Sequence, residues 1–163
     1  MPPSSDQDRR LEDQPRTAEA TLHFVLDVDW VSPSIARDRL RAWLVAHRWS
    51  PAHTDDLVLA LNEAVSNSIE HGYGLSADPA PLALPEPPVE VRGRVVTEPD
   101  GTRRVELTVR DRGRWRPPVG GSSSSRGHGV TIMRACTDEV TVERGAHGTT
   151  VVLRGRPVPP PLD

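Results

Sequence analysis

Residues 62–74 read NEAVSNSIEHGYG, and within them Glu63, Asn67 and His71 stand four positions apart among apolar and small neighbours. At about 100° per residue these three drift by about 80° in all and extend over about 12 Å of a helix axis, so they share one stripe. Leu57, Leu61, Ala64, Val65 and Ser68 fall largely on the other side and can pack. The acid, the amide and the imidazole then face outward or into a cleft. A solvated helix face has the same pattern, so the rest of the chain has to decide between surface and site.

The size and composition narrow the field. A chain of 163 residues suits one domain, large enough to bury a core without disulfides or structural metal. The single cysteine, Cys136, has no partner for an internal disulfide or a zinc site, which fits a reducing compartment. The opening stretch MPPSSDQDRRLEDQPRTAEA is polar throughout and reads as neither signal peptide nor membrane anchor. We therefore expect a disordered tail over residues 1–19, a cytoplasmic protein and no membrane partner. A net charge of −3 with few aromatic residues offers no basic footprint for nucleic acid. All 20 basic side chains are arginine. With no lysine, the chain cannot build the usual P-loop, nor the strand lysine of eukaryotic-type protein kinases.

Period and punctuation outline the elements. Residues 21–28, TLHFVLDV, alternate like a half-buried strand, and residues 33–48 carry Ile35, Leu40, Trp43 and Leu44 at helical spacing. A second helix is expected to open at Thr54 as N-cap, with Asp55 and Asp56 on the positive end of its dipole, and to run to about His71 before Gly72 stops it. Residues 74–88 are proline-rich and read as a surface loop. VEVRGRVV and RRVELTVR, joined across an Asp-Gly turn, form one hairpin; EVTVER and TTVVLR, joined by GAHG, form another. Between the hairpins lie PPVGGSSSSRGHG and a short helix in VTIMRACTDEV, and the tail PVPPPLD reads as extended and solvated. Sequential antiparallel strands covered by helices make an α+β two-layer sandwich, its mostly antiparallel sheet carrying helices on one face.

Three further features bear on chemistry. Asp111 ends a strand in VRDRGRWRPP, with Gly113 two residues on. This is either a turn or a carboxylate that accepts from an exocyclic amine while glycine lets a flat ring approach the backbone. Arg126, Gly127 and Gly129 lie in RGHG, just ahead of a helix, where glycines expose N–H groups to an anion or serve as a hinge. The preceding Gly-Ser run is either a lid or a linker. Gly148, Thr149 and Thr150 open a strand, which hairpin chemistry alone explains.

Taken together, LALNEAVSNSIEHGYG, DRGRWRPP, RGHGVTIMRACTDEV and GTTVVL resemble, in order and spacing, the GHKL superfamily of gyrase, heat-shock chaperones, sensor histidine kinases and mismatch-repair ATPases. They look most like its short branch, the bacterial anti-sigma-factor serine-protein kinases. The resemblance implies a Bergerat-type ATP-binding domain over residues 20–155, followed by an extended tail over residues 156–163. It also implies ATP and Mg²⁺ as ligands, with Asn67 on the metal and Glu63 as the catalytic carboxylate. Asp111 would take the adenine amine, with Gly113 against the ring and Thr149 nearby, while Gly127 and Gly129 would hold phosphates. His71 either joins the site or stabilises the helix end, and Arg126 is placed to reach a phosphate. The implied partners are a sigma factor, an anti-anti-sigma protein and a second copy in a homodimer. Arg37, Arg41 and Arg48 on the first helix would then be offered to an acidic partner surface. The alternative is a module of the same fold that regulates by binding alone. A sensor histidine kinase would need a helix with a phosphoacceptor histidine, which the first 20 residues do not provide.

Overall fold

The computed structural model describes residues 18–72, 89–113 and 128–162. The elements run β1 (Ala18–Leu26), α1 (Ser32–Ala46), α2 (Pro51–Asn67), a π-helical turn (Ser68–Gly72), β2 (Val89–Thr97), β3 (Arg103–Asp111), α3 (His128–Cys136), β4 (Glu139–Gly145) and β5 (Gly148–Arg154). The five strands form one sheet in the order β1-β2-β3-β5-β4, and all four ladders are antiparallel. The proline-rich segment 74–88, the Gly-Ser run, Arg126 and Gly127 lie outside the described residues.

Strand register puts one apolar row beneath the helices. Phe24 faces Val91, Val91 faces Val109, and Val109 faces Val151; one step along, Leu107 faces both Gly93 and Leu153. A side chain on Gly93 would meet Leu107 Cδ2 at 3.1 Å and Leu22 Cβ at 3.3 Å, so the glycine leaves room for those two leucines. Against this row pack Ala36, Leu40 and Leu44 of α1 and Leu57, Val58, Leu61, Ala64 and Val65 of α2, all buried. Helix α2 is the central helix, flanked by α1 and α3. Its apolar side is the one the sequence pattern indicates. The opposite face of the sheet alternates to charge: Arg94 meets Glu106 at 2.5 Å, Arg154 meets Glu106 at 3.2 Å and Glu139 at 3.3 Å, and Arg92 meets Glu90 at 2.7 Å. Exposed pairs of this kind contribute little each and chiefly keep that face wet.

Three expectations are corrected at the helix ends. Ser50, not Thr54, is the N-cap of α2: its hydroxyl accepts from the His53 N–H at 3.4 Å, and Pro51 takes the first helical position, where no N–H is needed. Thr54 is buried in the first turn, and Asp55 and Asp56 lie beyond it, paired with Arg41 at 2.7 Å and with Arg156 at 2.9 Å. Helix α1 stops at Ala46 because Arg48 turns left-handed at φ 59°; Trp49 N–H then bonds Leu44 O at 3.0 Å and Arg48 N–H bonds Val45 O at 3.1 Å. That is a Schellman closure with arginine where glycine is usual. The tail is not wholly solvated, since Val158 and Arg103 exchange two backbone hydrogen bonds of 2.8 Å.

Left-handed backbone strains an L-residue and not glycine. Arg48→Gly should therefore raise stability by about 0.5–1 kcal/mol, read as a higher urea midpoint with an unchanged denaturant slope; a lower midpoint would show that the arginine side chain contributes more than its backbone strain costs.

Candidate functional site

The expected site residues that the structure describes fall into two adjoining groups. Glu63 and Asn67 lie one turn apart on the partly exposed side of α2, and α3 begins directly over them. A side chain added at buried Gly129 would stand 3.0 Å from Asn67 Nδ2, 3.3 Å from Asn67 Oδ1 and 3.3 Å from Glu63 Oε2. A Cβ there would press on both side chains, so glycine eases the close approach of the first turn of α3 to an acid and an amide. The N-terminal end of α3, where the helix dipole is positive, thus lies against the Glu-Asn pair. The spacing rule that grouped Glu63 and Asn67 holds.

The second group surrounds Asp111, which is 2% exposed at the end of β3. Its Oδ1 accepts from Gly113 N–H at 3.1 Å and from Thr149 N–H at 3.2 Å, and the carboxylate also bonds the Ser68 side chain. Gly113, Thr149 and Asp111 were expected together, and they are together. Burial pushes the Asp111 carboxyl above the ordinary carboxylate range, although the bonds from Ser68, Thr149 and Gly113 pull the other way. A carboxylate has about four lone-pair sites. Three donors among the described residues leave capacity for one more, of the kind an exocyclic amine supplies.

Ser68 joins the two groups and was missed as a site residue. It follows Asn67 directly, opens the π-helical turn and lies buried on the packed side of the helix with Leu61 and Ala64, where its side chain bonds Asp111 at the end of β3. The even spacing of 63, 67 and 71 supposed an unbroken α-helix. His71 instead lies in the π turn, and its side chain falls outside the described residues. Gly148 had been explained by hairpin chemistry alone, yet its φ is +129° and a side chain there would stand 2.0 Å from Asp111 O. The glycine is thus demanded by the approach of β5 to the end of β3. No sequence period signals that.

A family model for the histidine kinase-like ATPase domain matches residues 27–154. The chain belongs to the histidine kinase-like ATPase family. Among solved structures, this family member is similar to the RsbU and RsbW domains of Rv1364c from Mycobacterium tuberculosis, with 27% identity and a TM-score of 0.61 over 86% of this chain. The match takes in 34% of that longer chain, so this protein spans about a third of it. A histidine kinase domain from Erythrobacter litoralis EL346 blue-light activated histidine kinase aligns at 21% identity over 63% of this chain and 44% of that one, with a TM-score of 0.40.

The raised Asp111 carboxyl carries a pH signature. A carboxyl that holds its proton more tightly in the fold than in the unfolded chain makes stability fall as pH rises from its ordinary 3.8 through the raised folded value. Asp111→Asn keeps an oxygen for the two N–H donors and abolishes the titration. Thermal unfolding across that window should show the variant gaining on the wild type as pH rises, and a gap that does not change with pH would contradict the assignment.

Proposed function

We propose that this family member is an ATP-dependent serine-protein kinase that phosphorylates an anti-anti-sigma protein and, when that antagonist is absent, holds a sigma factor. The meeting of Glu63 and Asn67 with the start of α3 at Gly129, beside a buried Asp111 that is bonded by the next residue, Ser68, is the observation that carries this reading. An adenine amine bonded to Asp111 would set the ring against Gly113. The triphosphate would then run past Ser68 and Asn67 toward the N–H groups of α3, an anion-favouring end.

The donor set suits magnesium, a hard cation that takes oxygen ligands and is usually held by one or two protein groups plus phosphates and water. Asn67 would hold it through Oδ1, and when bound it neutralises charge on the phosphate oxygens. Among the described residues no three His, Cys, Asp or Glu side chains gather into a metal cage, which suits a metal brought with its nucleotide. Glu63 then acts on the protein substrate. Its carboxylate accepts the serine hydroxyl proton while the serine oxygen bonds the γ-phosphorus and the bond to the departing ADP oxygen breaks. Phosphoryl transfer asks mainly for such positioning and charge stabilisation. His71, Gly127 and Arg126 complete the proposed nucleotide contacts.

The solved relative that contains an RsbW domain supports the regulatory half of the reading. Charge on α1 supports it less directly than the sequence suggested. Arg37 bonds Asn62 at 2.6 Å in a partly buried position and Arg41, though exposed, is paired with Asp55 at 2.7 Å, so of the three arginines Arg41 and Arg48 keep their expected place on an outward surface. A homodimer is part of the proposal. Among the described residues no helix is long and apolar enough to cross a membrane.

Phosphate transfer from labelled MgATP to a candidate antagonist tests the proposal. Wild type should label the antagonist on serine, and Glu63→Gln should cut the rate by roughly 100-fold or more while still binding the sigma factor. A wild type that binds both proteins and never transfers phosphate would make this chain a binding module.

A further inference from the structure

The side chain beside the proposed catalytic acid is itself held from outside the site. Arg37 Nη1, on α1, donates to Asn62 Oδ1 at 2.6 Å in a partly buried position, and Asn62 Nδ2 faces Glu63 Oε1 at 3.4 Å. Neighbouring residues on a helix point about 100° apart and do not ordinarily meet. Here chemistry fixes the orientation of the amide. A guanidinium is donor-only, so it must meet the amide oxygen, and the amide NH₂ is thereby turned toward the carboxylate of Glu63. The other Glu63 oxygen, Oε2, faces the start of α3 at Gly129. Glu63 is gripped by one oxygen, and its other oxygen is presented to the reaction space.

We propose that Asn62 is a positioning residue for Glu63, and that Arg37 holds Asn62 in the orientation this requires. The inference rests on the proposed catalytic role of Glu63. Catalytic hydrogen bonds are often long before substrate arrives, and the 3.4 Å contact has room to shorten when substrate closes the site around the charged carboxylate. Asn62→Asp isolates the donor: it keeps the shape and the oxygen for Arg37, but sets a second carboxylate against Glu63. Arg37→Ala releases the amide, whereas Arg37→Lys keeps a donor to it.

Two readouts separate this inference from the kinase reading. Side-chain scalar couplings of Glu63, measured by NMR on the full chain, should report one rotamer in the wild type and in Arg37→Lys, and averaging in Asn62→Ala, Asn62→Asp and Arg37→Ala. In steady-state assays Asn62→Ala and Asn62→Asp should lower kcat by roughly tenfold to a hundredfold with KM for MgATP little changed, and neither should lower it further in a Glu63→Gln background. Unchanged Glu63 couplings in all the Asn62 and Arg37 variants would overturn the positioning role, whether or not phosphate is transferred. A wild type with an ordered Glu63 and no turnover would overturn the kinase reading and leave the positioning geometry standing.

Discussion

A carboxylate taken out of water organises this end of the molecule. Asp111 is 2% exposed, and a buried charge is tolerated only when polar groups converge on it. Those groups come from three directions: the Ser68 side chain from the turn after α2, Gly113 N–H from the segment leaving β3, and Thr149 N–H from the start of β5. Meeting this demand draws the central helix, the middle strand and the second hairpin to one point. It also explains one backbone peculiarity: Gly148 accepts φ +129° because β5 must pass within contact of the Asp111 carbonyl.

The same convergence aligns the second group. With Ser68 drawn inward, Asn67 and Glu63 are left on the adjacent, partly exposed side of α2, where α3 closes over them at Gly129. The fold thereby sets the Asp111 carboxylate at the end of β3, bonded by Ser68, next to an amide and a second carboxylate, Asn67 and Glu63, one turn apart on α2. In the proposed reading they address base, phosphate-bound metal and attacking hydroxyl in that order. The Arg37–Asn62 contact extends the arrangement outward to α1, and in the proposed reading it braces the acid from that second helix.

Much of this was legible in the amino-acid sequence because it depends on periodicity and turn chemistry. The alternation in β2 and β3 and the Asp-Gly between them identify the first hairpin, and the apolar face of α2 emerges from its 3.6-residue spacing. Glu63, Asn67, Asp111, Gly113 and Thr149 were marked by residue type and order. Contacts made across the chain were not legible. Nothing local distinguishes Ser68 from a small core residue, or Gly148 from an ordinary hairpin glycine, because each is defined by its distance from Asp111. Likewise Arg37 reads as a surface charge until α1 is packed on α2. Local competition explains the boundary errors: Ser50 and Thr54 are both credible caps, and Pro51 favours the first. A left-handed arginine closing α1 contradicts residue preference, and burial of Trp49 against the core compensates for it.

The central claim is that the buried Asp111 carboxylate reads the amine of adenine. Calorimetric titration of the full chain with MgATP and with the magnesium complex of purine riboside triphosphate, which lacks only the 6-amino group, tests it most directly. A site built around an unshared acceptor rejects the ligand that cannot donate to it, so ATP should bind tighter by roughly 100-fold or more. Equal affinities for the two nucleotides would contradict the account.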